Sequence, residues 1–171
     1  NNNCELQTIA ADLGIREIPY TGEKRDAVKD ESNPSIVREP NKCILCGRCI
    51  RACHEHQGLD VYAFVNRGFK TLVEPAFSYG LDQVTCTYCG QCVAVCPTAA
   101  ICEKDDTEKV FDALGDPGKY VIVQTAPATR VALGEALGLP AGEIVTGKMV
   151  AALRRLGFNK IFDTDFSADL T

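Results

Sequence analysis

Two copies of one cysteine pattern constrain this chain more than any other feature. The first is Cys43-Ile44-Leu45-Cys46-Gly47-Arg48-Cys49-Ile50-Arg51-Ala52-Cys53. The second, 43 residues on, is Cys86-Thr87-Tyr88-Cys89-Gly90-Gln91-Cys92-Val93-Ala94-Val95-Cys96, followed by Pro97. Both runs carry gaps of two, two and three residues. Cysteines in a small secreted domain would suggest a disulfide framework. Clusters at two-residue gaps inside ordinary globular sequence point instead to metal ligation in a reducing compartment, and place the chain in the cytoplasm. Zinc knuckles fit poorly, because they use two separated pairs of ligands and put no third cysteine two residues further on.

The spacing is that of thiolates around iron–sulfur cubes. In bacterial dicluster ferredoxins a tight loop aims three thiolates of one run at one 4Fe-4S cluster, and the fourth crosses to the other. On that scheme Cys43, Cys46, Cys49 and Cys96 hold one cluster, and Cys86, Cys89, Cys92 and Cys53 hold its twin. Gly47 and Gly90, each directly after the second cysteine, let the backbone turn and bring N–H groups near the sulfurs, where hydrogen bonds raise the reduction potential. His54 stands where the second run has Pro97, a departure that bears on the local turn and not on ligation. His54 and His56 read as surface residues. Cys102 reads as a small apolar residue on a returning strand. Cys4, alone near the start, is either core filler or the last member of a run whose earlier members precede it.

Around the runs the chain falls into segments. Leu6, Ile9, Ala10 and Leu13 share one face of a short helix over 4–13, with Gly14 as its C-terminal cap. Residues 21–41 are polar and broken by Asn33-Pro34 and Glu39-Pro40, which predicts an extended linker. The cysteine runs define a ferredoxin-like domain over 42–115, in which 61–74 forms two short strands around Asn66-Arg67-Gly68. A helix over 105–114 leads to a break at 115–118. Beyond it, 116–171 shows βαβ grammar, with a strand in 120–126, helices at 129–137 and 142–156, and a buried strand over 160–164. The fold class is α+β, a dicluster ferredoxin-like domain followed by the first βαβ part of an incomplete α/β domain. The chain opens without Met on Asn1-Asn2-Asn3 and stops at Asp169-Leu170-Thr171, read as the first turn of a new helix, so it is expected to be a fragment.

The formal charge of −5 and scattered basic residues argue against a nucleic-acid footprint, and no apolar run is long enough to suggest a membrane span. Gly142-Glu-Ile-Val-Thr-Gly147-Lys148 fits the glycine and lysine spacing of a phosphate loop. However, Met149 replaces the magnesium-binding hydroxyl, and no strand precedes it. Lys148, Arg154 and Arg155 read as a solvated helix face.

Cys4-Glu5-Leu6-Gln7 and NPSIVREPNKCILCGRCIRAC (33–53) resemble the electron-transfer region shared by complex I large subunits, cytoplasmic formate dehydrogenases and FeFe (iron-only) hydrogenases. YVIVQTAPATRVALGEALGL (120–139) and TGKMVAALRRLGFNKIFDTDFSADLT (146–171) resemble the start of the FeFe-hydrogenase catalytic domain in particular. The resemblance implies an enzyme that interconverts hydrogen with protons and electrons, this chain supplying the relay. It makes 1–20 the end of a His/Cys3 iron-sulfur module, with Cys4 the last ligand of an N-terminal cluster. It also makes Ala126, Pro127 and Ala128 part of the wall around a hydrogen-activating di-iron cluster whose own cysteines lie downstream. Other redox subunits or ferredoxin would exchange its electrons within a multisubunit complex. The alternative is an electron-transfer module of the formate or NADH dehydrogenase type without hydrogenase activity.

Overall fold

In a computed structural model, which describes residues 4–23 and 26–170, chain contacts separate Asn1–Lys104 from Asp105–Thr171. The architecture is α+β, with small two-stranded sheets among short helices. The first unit opens with α1 (Glu5–Asp12), which follows Cys4 at its N-terminal boundary. Its apolar residues Leu6, Ile9 and Leu13 are exposed. The chain returns as β1 (Ile36–Arg38), antiparallel to β4 (Ile101–Glu103), with Val37 opposite Cys102. A second antiparallel pair, β2 (Ala63–Val65) and β3 (Leu72–Glu74), is the expected hairpin, and Asn66 takes a left-handed conformation at its turn. α2 (Arg48–Ala52) and α3 (Gln91–Ala94), each part of a cysteine run, pack against one another.

The core gathers Ile36, Val61, Tyr62, Val73, Leu81 and Ile101 with Cys49, Cys53 and Cys92. Burial of such side chains contributes about 1.5–3 kcal/mol each for the larger aliphatics. Three of its nine buried members are cysteines, so the thiols are built into the core.

The expected linker over 21–41 needs correction in its second half. Asn33 is fully buried, and its side-chain oxygen accepts hydrogen bonds from the N–H groups of Ser35 and Ile36, both at 2.9 Å. Ile36, Val37 and Arg38 are buried in β1, and Pro40–Lys42 forms a 3-10 turn. The prolines exclude helix here, as read, but an extended segment with two adjacent β-branched residues is a strand once β4 offers a partner. Asp30 and Arg38 add a bridge by exchanging both backbone hydrogen bonds, at 2.8 and 2.9 Å.

The second unit holds α4 (Thr107–Gly115), β5 (Ile122–Thr125), α5 (Pro127–Ala136), α6 (Thr146–Leu156), β6 (Lys160–Asp163) and α7 (Thr164–Asp169). β5 and β6 are parallel, with Val123 opposite Ile161, as the βαβ reading expects. Val145 and Met149 are buried, and a Cβ on buried Gly134 would stand 3.2 Å from Val145, so the small residue lets the α5 backbone come close. Two boundaries differ from expectation. The helix read over 142–156 begins only at Thr146, because Gly142 adopts φ +81° in a turn that the Glu143 N–H closes onto Pro140 O at 3.2 Å. The last helix begins at Thr164 rather than at Asp169. Asp163 caps it by accepting from the Asp165 N–H at 3.0 Å. Asn1-Asn2-Asn3 and Thr171 lie outside the described residues. No helix among the described residues is long and apolar enough to cross a membrane.

Asp30 ties the first unit together. Its carboxylate accepts from Ser32 Oγ at 2.6 Å, Ser32 N at 3.1 Å and Leu81 N at 3.1 Å, and faces Arg38 at 3.7 Å. Burial alone would raise its pKa, but the Ser32 and Leu81 hydrogen bonds and the Arg38 charge together hold it below the ordinary value. A carboxyl depressed on folding stabilises above its unfolded pKa, and that contribution is lost as pH falls through the folded value. Asp30→Asn is therefore expected to cost about 1.5–3 kcal/mol at neutral pH. It should also flatten the acid limb of stability, as read by denaturant unfolding between pH 3 and 7 (roughly the carboxylate range).

Candidate functional site

Each cysteine run folds into the same local shape. In the first, Leu45 (φ 59°) and Gly47 (φ 70°) flank Cys46 in left-handed conformations, and in the second Tyr88 (φ 57°) and Gly90 (φ 74°) flank Cys89. Two reversals of this kind curl the loop around the second thiol, and a short helix then starts at the residue after the glycine. The glycines bear this freely, whereas Leu45 and Tyr88 each cost about 1–2 kcal/mol. The first three thiols of each run also share burial position by position, while at the fourth Cys53 is buried and Cys96 half-buried. Cys43 and Cys86 are half-buried, Cys46 and Cys89 exposed, and Cys49 and Cys92 buried.

The runs part at the residue after the fourth cysteine. Pro97 has no N–H and ends α3 short of Cys96. His54 lets the first helix run on as a π turn over Cys53–Gln57, closed by Gly58 at φ +65°. The departure changes the turn, as expected, and Cys53 stays buried at 8% exposure. His54 Nδ1 is 2.8 Å from Asp60 on the surface, and both histidines are exposed.

Two cavities then bring the thiols together. One is lined by Cys43, Cys46, Cys49 and Cys96. The other is lined by Cys53, Cys86, Cys89 and Cys92. Three thiols of each set belong to one run and the fourth to the other. Backbone N–H groups point at sulfur from Leu45 to Cys43 (3.4 Å), Ile101 to Cys96 (3.4 Å) and Val61 to Cys53 (3.5 Å). A tetrahedral zinc ion needs its sulfurs within about 2.3 Å of one point. Among the described residues no group of three or more His, Cys, Asp or Glu is placed to hold a single metal ion. Four thiols facing one cavity, with N–H groups aimed at sulfur, suit thiolate ligands around a body with several metal corners. The donor set thus fits an iron–sulfur cube in each cavity.

Two residues that the motif did not reveal belong to these cavities. Tyr62 is 3% exposed and lines the second, with its hydroxyl 3.8 Å from Cys92 Sγ. Burial and the neighbouring thiols push its pKa far up, so the hydroxyl keeps its proton. Arg38, 6% exposed, lines the first. Tyr62 follows Val61 in an apolar run, and Arg38 sits in a polar stretch, so neither gives a sequence signal.

The remaining candidates stand apart from the cavities. Cys4 is half-buried beside α1, whose Glu5 pairs with Arg48 at 2.6 Å. Cys102 is half-buried on β4. Ala126, Pro127 and Ala128 are exposed where β5 passes into α5, at the carboxyl end of a parallel strand, the edge at which such sheets bind ligands. At the same edge Arg130 pairs with Asp163 at 2.8 Å and Asp165 at 3.0 Å. Lys148 pairs with Glu143 at 2.8 Å within the supposed phosphate loop.

Comparison with known proteins bears on both units. Residues 42–100 match the family described as 4Fe-4S dicluster domain, and residues 119–171 match iron only hydrogenase large subunit, C-terminal domain. The chain is 54% identical over 171 residues to the NADP-reducing hydrogenase subunit HndD of Solidesulfovibrio fructosivorans, covering 100% of this chain and 29% of that protein. It is 38% identical over 170 residues to iron hydrogenase 1 of Clostridium pasteurianum, covering 99% of this chain and 30% of that protein. Among solved structures, an NAD+-reducing [NiFe]-hydrogenase in the H2-reduced state superposes with a TM-score of 0.52 at 26% identity, covering 61% of this chain and 44% of that one. The chain thus spans under a third of the length of the curated relatives it matches.

Burial, with the neighbouring thiols, pushes Cys49 from the ordinary 9.0 up to about 12, and burial also raises Cys92. A thiol raised on folding stabilises the metal-free chain fully below its unfolded pKa, and the contribution is lost as pH rises through the folded value. The metal-free protein should therefore lose stability between pH 9 and 12, the range set by Cys49. Cys49→Ser, which does not titrate there, should lessen that loss in thermal unfolding followed by circular dichroism.

Proposed function

We propose that this chain, which belongs to the FeFe (iron-only) hydrogenase large-subunit family, relays electrons through two 4Fe-4S clusters within an enzyme that interconverts hydrogen with protons and electrons. The observation that carries the reading is the pair of cavities, each lined by three cysteines of one run and the fourth of the other. Cys43, Cys46, Cys49 and Cys96 would hold one cluster, and Cys86, Cys89, Cys92 and Cys53 the other. Each cluster supplies a one-electron carrier whose potential follows from burial and from hydrogen bonds to sulfur. The chain's own work is to hold the thiols, exclude water with Ile36, Val73 and Ile101, and aim N–H groups at the sulfurs.

The domain reading accompanies this one. Residues 42–115 are the relay, and 116–171 begins the hydrogen-activating domain, where Ala126, Pro127 and Ala128 contribute to the wall of its site. Cys4 serves as the last ligand of a further N-terminal cluster. Work within a multisubunit complex follows by analogy with a relative named as a subunit of an NADP-reducing hydrogenase, and a cytoplasmic location follows from thiolate ligands that need a reducing compartment. Ferredoxin or another redox subunit would be the electron partner.

Reconstitution of the full chain with iron and sulfide should give about eight irons. Cys96→Ser should perturb the cluster assigned to Cys43, Cys46 and Cys49, and Cys53→Ser its twin, read as loss of one of two electron paramagnetic resonance signals. If both substitutions perturb the same signal, the exchanged assignment is wrong. For the parent enzyme, carbonyl and cyanide infrared bands together with hydrogen-dependent dye reduction are expected, and absence of both would leave only an electron carrier.

A further inference from the structure

The two cavities share ligand spacing and loop shape, yet they differ in charge. Among the described residues lining the first cavity, Arg38 is the one with a charged side chain. Among the described residues lining the second there is none, and a neutral Tyr62 hydroxyl lies near sulfur instead. The Arg38 side chain is 7% exposed, so its field is little screened by water. It is held from behind, with Nη1 donating to Val73 O at 3.1 Å and facing Glu74 at 3.5 Å, and Nη2 facing Asp30 at 3.7 Å. Asp30 and Glu74 line a separate groove that Arg38 also borders, and neither lines the thiol cavity. Arg38 thus borders both the thiol cavity and the groove that holds its two carboxylates. Its Nε is buried without a hydrogen-bond partner among the described residues. On the adjoining strand, Ile101 lies opposite Arg38 and donates its N–H to Cys96 Sγ.

A reduced cluster carries one more negative charge than an oxidised one, so a fixed cation beside it favours the reduced form, and buried carboxylates favour the oxidised one. We propose that Arg38 is a positioning residue for electron transfer, which raises the reduction potential of the cluster facing Cys43, Cys46, Cys49 and Cys96 and so makes two otherwise equivalent sites unequal. This rests on the paired-cluster reading above. Asp30 and Glu74 hold the guanidinium in place and moderate its charge, so that the pair of sites has a direction for electrons built in by one side chain.

The test is a redox titration of the reconstituted full chain, followed by electron paramagnetic resonance, with iron counted in every sample. Arg38→Met should keep about eight irons and lower one midpoint by at least a tenfold change in its equilibrium, which is 59 mV for one electron. Arg38→Lys, which keeps the charge, should restore most of that shift. Glu74→Gln should move the same midpoint upward. Tyr62→Phe, which removes the hydroxyl beside Cys92, should lower the other midpoint. About eight irons with both midpoints unmoved in Arg38→Met would overturn the role of Arg38, as would Arg38→Met and Tyr62→Phe moving the same wave. If Arg38→Met fails to load, Glu74→Gln decides, and an unmoved midpoint there overturns the proposal. Fewer than about eight irons in the unsubstituted chain would sink the two-cluster reading itself, and this proposal with it.

Discussion

The fourth thiol of each run stands at the cavity of the other, and most of the first unit follows from that exchange. Neither loop can complete its own set of four, so α2 and α3 must lie side by side for Cys53 and Cys96 to cross. Local sequence alone does not hold helices of five and four residues, which are too short to persist in isolation. Their stability comes from the thiols and apolar residues they bury together. The sheets serve the same end, since β4 carries the N–H that reaches Cys96 and the approach to β2 carries the one that reaches Cys53.

The buried ionic group around Arg38 departs from ordinary core construction. Taking a guanidinium out of water costs several kcal/mol, and partial pairing returns only part of it. A well-packed apolar side chain at that position would often serve stability as well or better. The arrangement therefore reads as a device whose benefit lies outside folding.

Spacing made the most chemically constrained parts legible. Cysteine gaps of two, two and three have few structural meanings, and a strand, two helices and a strand with parallel grammar have few topologies, so both units could be read from residue order. Burial of Asn33 and of 36–38 was hidden because the polar residues there are partly paired inside the fold, the Asn33 oxygen by backbone N–H groups and the Arg38 guanidinium by two carboxylates, and such pairing leaves no trace in a polarity pattern. Leu45 and Tyr88 were equally silent. Glycine announces a left-handed turn, but a leucine or tyrosine forced into one by its neighbours does not. The late start of α6 and early start of α7 are end effects, decided by one glycine and one aspartate cap rather than by periodicity.

The parallel ribbon of β5 and β6 has a consequence for handling the protein. Each strand has one neighbour in its sheet, and Ile122 beside it is 55% exposed. An unpaired backbone edge next to apolar side chains is a template on which another extended chain can add. The charges of Lys160 and Asp163 on β6 oppose such growth on one side, while Ile122 and Val123 on β5 leave the other edge without a gatekeeper. The free edge of β5 is accordingly one place at which concentrated protein would self-associate.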